Sequence, residues 1–221
     1  MVEFKPSPHA QKMDGIYRWT RHIYDVSRKF YLFGRDKLLK DLNAPANSTV
    51  LEIGCGTARN LVKLSAMRPD LKLLGLDASN QMLETARKKL TDPLLRDRIT
   101  LRQGLAEELD PALMFGVSGP IPRVFFSYSL TMIPPWKGAL DAALRVLPIG
   151  GEIHIVDFWD QGSWPGPTRW ALRRWLKLFT VEFRPELMAY LEELARQGRI
   201  ELHVRSFLGR YAFGARLVRR V

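Results

Sequence analysis

Between Thr49 and Phe158 the chain alternates short apolar runs with stretches of helical periodicity. "TVLEIG", "LKLLGLD", "RITLRQG", "RVFFSYS" and "GEIHIVDF" read as buried strands. Between them, "ARNLVKLSAMRP" is stopped by Pro69, and "SNQMLETARKKL" has Ser79 as its N-cap. "KGALDAALRVL" repeats apolar positions in the same helical way. Strand–helix alternation with apolar strands predicts an α/β fold, a mostly parallel sheet with helices on both faces.

The flanks follow other patterns. Residues 1–12 carry two prolines and little periodicity, and residues 14–42 read as one or two amphipathic helices. "NAPANS" then marks a loop. After Phe158 come the Trp/Pro/Gly-rich "WDQGSWPGPTRW", the basic-aromatic helix "RWALRRWLKLF", the helix "RPELMAYLEELARQ" and a strand pair, "IELHVRSFL" with "RYAFGARLVRR". With no repeat and no linker, one domain is expected over 1–221. Its parts are a helical cap (1–42), a cofactor-binding core (49–158), an insertion with a lid helix (159–182), and a C-terminal helix with the strand pair (183–221).

Composition narrows the setting. A chain of 221 residues, 46% hydrophobic, can bury a full core. The single cysteine, Cys55, rules out an internal disulfide and fits a reducing, cytoplasmic compartment. No leader-like stretch opens the chain, and no apolar run reaches the ~20 residues that span a bilayer. The net charge of +11 is uneven. Residues 1–40 hold nine Lys/Arg against four Asp/Glu, and residues 165–221 hold twelve against five. The middle holds thirteen against fourteen. Basic ends attract nucleic acid, anionic membrane or acidic substrate by the same physics. Both ends are also rich in aromatics, which solubility does not require.

"VLEIGCGTARN" carries the sharpest signal. A strand runs into Gly54-Cys55-Gly56 and then a helix, so the backbone can turn tightly and approach a ligand. The third glycine of a dinucleotide fingerprint is absent, since Arg59 stands there. Asp77, about twenty residues on, ends the second strand where a carboxylate can hold ribose hydroxyls. Ala78 follows it, and Met82 can lie against a purine. The backbone at Leu105–Ala106 can read an adenine edge.

This combination resembles the class I S-adenosylmethionine-dependent methyltransferases. The resemblance rests on Glu52, Gly54, Gly56 and Asp77, with "GLAE" and "VFFSYSL" where later motifs fall. It implies a three-layer Rossmann-like fold whose seven-stranded sheet has an antiparallel last strand. It also implies S-adenosylmethionine as cofactor. Glu52 would order the Gly-loop and the methionine amino group, Gly54, Cys55 and Gly56 would line the methionine part, and Asp77 would bind the ribose. Leu105 stands where many members have Asp, so Glu107 or backbone must serve the adenine.

No "NPPY"-like tetrapeptide follows the fourth strand; the position reads "SYSLTMIPPW". Ser127, Tyr128, Thr131 and Trp136 are expected at the cofactor mouth, with Asp157, Phe158 and Trp159 from the fifth strand. Aromatic faces and a carboxylate suit a nitrogen gaining positive charge, because ring faces attract cations by ~0.5–2 kcal/mol.

"IYRWTRHIYDVSRKFYLFGRD", "FFSYSLTMIPPW", "IHIVDF" and "GRYAFGARL" together resemble phospholipid N-methyltransferases, most closely the diacylglycerylhomoserine N-methyltransferases of betaine-lipid synthesis. That resemblance implies three methyl transfers to the amine of a diacylglyceryl-homoserine headgroup. Tyr24 and Arg35 would cover the methionine end of the cofactor. Tyr17, Tyr128 and Asp157 would act on the amine, and Arg18, Arg21 or Arg35 would hold the acceptor carboxylate. No metal is expected.

Partners follow from the same reading: a lipid with an amine headgroup, an anionic membrane surface met peripherally, and the enzyme that makes the homoserine lipid. Trp170, Arg174 and Lys177 are suited to that surface. Three rivals are a phosphatidylethanolamine N-methyltransferase, a quinone-ring methyltransferase, and a non-enzymatic RNA- or protein-binding domain suited by the basic ends. Ring methylation needs a base, and none of His9, His22, His154 or His203 is convincingly placed. Intact Glu52, Gly54, Gly56 and Asp77 argue against a vestigial, nucleic-acid-binding domain.

Overall fold

Alternation within each strand divides the core in two. Val50, Leu73 and Phe125 face one side of the sheet, and Leu51, Leu74 and Phe126 face the other. A computed structural model describes residues 32–177 and 181–221. Its strands are β1 (Thr49–Ile53), β2 (Lys72–Asp77), β3 (Ile99–Gln103), β4 (Arg123–Ser127), β5 (Glu152–Phe158), β6 (Ile200–Phe207) and β7 (Ala212–Arg219). They form one seven-stranded sheet in the order β3-β2-β1-β4-β5-β7-β6. The first five are parallel, and β7 runs antiparallel to both β5 and β6. The expected mostly parallel sheet with a reversed last strand is therefore present.

Helices cover both faces. On one side lie α1 (Arg35–Asp41), α2 (Arg59–Met67) and α3 (Asn80–Lys89), which bury Leu38, Leu61, Leu64 and Leu83. Ser79 caps α3, accepting a hydrogen bond from Met82 N at 3.3 Å. Two short helices went unread in the sequence: α4 (Pro93–Arg98) and α5 (Pro111–Phe115). Each begins with proline behind a capping aspartate, Asp92 or Asp110. On the other face α6 (Trp136–Val146) buries Leu140 and Ala143, and α8 (Pro185–Arg196) buries Leu187 and Leu191. Between them in sequence lies α7 (Gly166–Lys177), the basic-aromatic helix.

Of the expected N-terminal helical cap, α1 is the part within the described residues. Asp36 pairs with Arg59 and Lys63 of α2, and Asp41 pairs with Arg205 of β6. Such exposed pairs add ~0–1 kcal/mol each; the anchor is burial of Leu38 and Leu39, at ~1.5–3 kcal/mol apiece. Among the described residues no helix is long and apolar enough to cross a membrane. The carboxyl ends of β1 to β5 share one edge, and β1 lies between β2 and β4, so the strand order reverses there. In open parallel sheets that reversal opens the crevice where ligands bind.

Candidate active site

The turn after β1 sits at that reversal and is stitched to both neighbours. Gly54 N and Cys55 N donate to Leu76 O, and Gly56 N donates to Asp77 Oδ2 at 2.7 Å. Asp77 Oδ1 accepts from Ser79 N, while Gly104 N donates to Asp77 O. Gln103 Nε2 donates to Ala78 O at 3.0 Å. The ends of β1, β2 and β3 therefore form one hydrogen-bonded rim carrying Asp77, Ala78, Leu105 and Ala106. Met82 lies behind it, buried, on the first turn of α3. Gly54 and Gly56 have φ of +75° and +53°, a region that favours glycine.

Glu52 is fully enclosed beneath this turn. Asn60 Nδ2 donates to its Oε1 at 2.7 Å. Burial, reinforced by the charge of Asp77, pushes its carboxyl up to about 8; the Asn60 hydrogen bond, Arg35 and Arg59 oppose that rise. Its Oε2 and the Ser127 hydroxyl are buried with no hydrogen-bond partner among the described residues. Asn60 was missed as a site residue, although it stands at the end of the quoted "GCGTARN". Ser129 was also missed: its hydroxyl donates to Ile53 O at 2.8 Å and locks the loop after β4 onto the glycine turn.

Residues 50–151 match the family described as "Methyltransferase domain". Over that span the chain is similar to methyltransferase domains. A demethylmenaquinone methyltransferase of Listeria monocytogenes serotype 4a is 27% identical over 186 residues, 81% of this chain and 66% of that protein. The chain spans just under two thirds of the length of the curated relatives it matches, 62–66% of the first three. A SAM-dependent methyltransferase from Aquifex aeolicus superposes with a TM-score of 0.60 at 22% identity, covering 97% of this chain and 98% of that one. The [4+2]-cyclase SpnF superposes at 0.74 with 12% identity, covering 99% and 100%. Likeness at such identity speaks for the fold alone.

The rim fits S-adenosylmethionine, the cofactor that the sequence resemblance implies. The partnerless Glu52 Oε2 is an acceptor below the glycine turn, suited to the methionine ammonium. The partnerless Ser127 hydroxyl ends β4, the strand beside β1. Asp77 ends β2 at the ribose position, with Met82 and the Leu105–Ala106 backbone beyond it for the adenine. Arg35 begins α1 close enough for its charge to act on both Glu52 and Tyr128, consistent with a place at the methionine end.

Four expectations need correction. The thiol of Cys55 is not part of the cofactor surface. It is buried in the core against Gly75, and burial pushes its pKa upward, so only its backbone serves the turn. Asp157 is not an open carboxylate at the mouth. It is fully buried, and its oxygens accept from Thr131 Oγ1 at 2.7 Å, Phe158 N at 2.8 Å and Thr131 N at 3.1 Å. Burial raises its pKa to about 6 against the pull of those donors. The Tyr128 hydroxyl is likewise committed, donating to Phe33 O at 2.7 Å. Tyr128 also has φ of +56°, an uncommon conformation for a bulky side chain, with its N–H held by Val156 O. Trp136 turns away into the opposite core, edge-on to Tyr190. Tyr17 and Tyr24, with Arg18 and Arg21, lie outside the described residues.

Two variants separate structural from catalytic roles here. Asp157→Asn places an amide donor against either Thr131 N–H or Phe158 N–H and is expected to lower stability by ~2–3 kcal/mol, read from urea unfolding. Tyr128→Phe is expected to cost ~1 kcal/mol and to free the Phe33 carbonyl, increasing proteolysis near residue 33. A large loss of turnover in Asp157→Asn with unchanged stability would restore its catalytic role.

Proposed function

We propose that the chain uses S-adenosylmethionine to methylate a lipid amine, converting diacylglyceryl-homoserine by successive transfers into diacylglyceryl-trimethylhomoserine. The observation that carries this reading is a convergence. Phe33 and Arg35 of "YLFGRD", Tyr128 of "SYSL", Phe158 of "IHIVDF" and Tyr211 of "GRYAF" meet beside the carboxyl ends of β4 and β5. Tyr128 and Phe158 stand edge to face at 4.7 Å, Phe158 and Tyr211 at 5.7 Å, and Phe33 and Tyr211 at 5.6 Å. These are segments on which the lipid-amine resemblance rests, and they are remote from one another in sequence.

The chemistry agrees. Bound S-adenosylmethionine supplies a methyl group on a sulfonium. The chain's part is to hold the amine in line and exclude water, which the ring cluster suits. Ring faces also stabilise the cationic nitrogen by ~0.5–2 kcal/mol. Arg35 offers a positive charge for the carboxylate beside the amine. An amine loses its proton to water before transfer, so no buried base is required.

The names of the relatives favour a second acceptor, a quinone ring. Ring methylation ends with loss of a ring proton to a base. Among the described residues, Asp157 has three donors on its carboxylate, and His154 is buried inside β5 against Glu152 at 2.8 Å. Both observations weigh toward the amine. Expression in a bacterial host supplied with diacylglyceryl-homoserine tests the reading. The expected result is trimethylated betaine lipid in the extract, lost with Asp77→Ala. An unmodified homoserine lipid beside a newly methylated quinone would overturn it.

A further inference from the structure

We infer that α7 is a docking face for an anionic lipid surface, and that it delivers the acceptor to the cavity beneath it. This inference rests on the lipid acceptor proposed above. The helix Gly166–Lys177 holds four basic residues and no acidic one. Its two sides do different work. Inward, Leu176 is buried, and Arg173 donates to Gln161 Oε1 at 3.1 Å and Asp160 O at 2.8 Å while lying 4.1 Å from the Phe183 ring centre. These contacts tie the helix to the chain following β5. Outward, Trp170, Arg174 and Lys177 follow at i, i+4 and i+7, so they form one stripe. All three are exposed, Trp170 by 67%.

A tryptophan flanked by cations is the pairing that a headgroup boundary accepts, the ring at the acyl edge and the cations against phosphate. Under α7 lies a cavity of about 830 Å³, floored by Phe158, Trp159, Val181 and Phe183. Among the described residues its one acidic lining residue, Glu182, pairs with Arg184. The cavity reaches Phe158, a member of the ring cluster beside β5. An apolar floor leading from a basic, tryptophan-bearing stripe to that cluster suits an amphiphile entering from a membrane. A nucleic acid would use the stripe but not the floor.

Vesicle cosedimentation of the whole chain tests this. Phosphatidylcholine vesicles containing phosphatidylglycerol are expected to bind it at low salt, with release as salt rises, and pure phosphatidylcholine vesicles are expected to bind it weakly. The double variant Arg174→Gln/Lys177→Gln is expected to lose about 30-fold in partitioning, at the usual contribution per basic residue. Trp170→Ala should weaken binding further while S-adenosylmethionine affinity stays unchanged. Equal vesicle binding by parent and double variant would overturn the assignment, as would a short RNA that displaces the vesicles. Vesicle binding without methylation of any lipid amine would sink the acceptor reading and leave α7 standing. Methylation of the lipid amine in detergent without vesicle binding would do the reverse.

Discussion

Glu52→Gln is expected to raise the melting temperature of the ligand-free protein at pH 8 while weakening S-adenosylmethionine binding tenfold or more. The two effects have one cause. In the folded chain burial holds the Glu52 carboxyl at about 8, against an ordinary value of 4.5. Between those values the folded state keeps a proton that the unfolded chain has lost. Stability therefore falls as pH rises through that window, and the full penalty is present above about 8, on the order of several kcal/mol. Glutamine remains neutral, still meets Asn60, and removes this pH dependence. A bound ammonium partner reverses the balance by favouring the carboxylate. Cofactor binding near pH 7 should then release protons, visible as a dependence of the binding heat on buffer ionisation. A parent and a variant with the same pH slope of melting temperature would contradict this assignment.

The second large effect is expected from Gly54→Ala. An L-residue at φ +75° costs ~1–2 kcal/mol on backbone grounds. A Cβ there would also lie 2.4 Å from Ser129 Cβ, and Ser129 is fixed by its hydrogen bond to Ile53 O. The turn must shift, and with it the Gly56 N–H that meets Asp77. The expected result is a loss of ~3 kcal/mol or more in stability and no measurable cofactor binding. Gly150→Ala is the control, because φ is +77° there but no described residue lies within 4 Å of the added carbon. It should cost only the backbone part and leave binding intact. Equal losses in the two variants would show that the contact with Ser129 is immaterial.

Much of the candidate site's geometry is legible because backbone carries it. A strand ending in Gly-x-Gly needs positive φ, and an acidic residue closing the next strand lands beside it whatever the side-chain packing. Side-chain roles were harder to read, and the pleat explains why. Asp157, Phe158 and Trp159 are consecutive, so they cannot all serve one surface. Phe158 joins the ring cluster on the α1 side, whereas Asp157 points between β5 and the loop at Thr131. From sequence alone the Tyr128 hydroxyl has no visible partner, because the Phe33 carbonyl it meets is 95 residues away. Asn60 and Ser129 are short polar residues whose role appears only once Glu52 and Gly54 have positions. Tyr211 entered through "GRYAFGARL", yet only the antiparallel pairing of β7 with β5 brings it to Phe158.

The most direct measurement is where the methyl group lands. Purified protein would be incubated in detergent micelles with trideuteromethyl-labelled S-adenosylmethionine, diacylglyceryl-homoserine and a reduced demethylated quinone, and products resolved by mass spectrometry of headgroup fragments. Up to three labelled methyls on the homoserine nitrogen, with none on the quinone, is the predicted result. Label confined to the quinone ring, or absent from both lipids while the cofactor binds, would contradict the account.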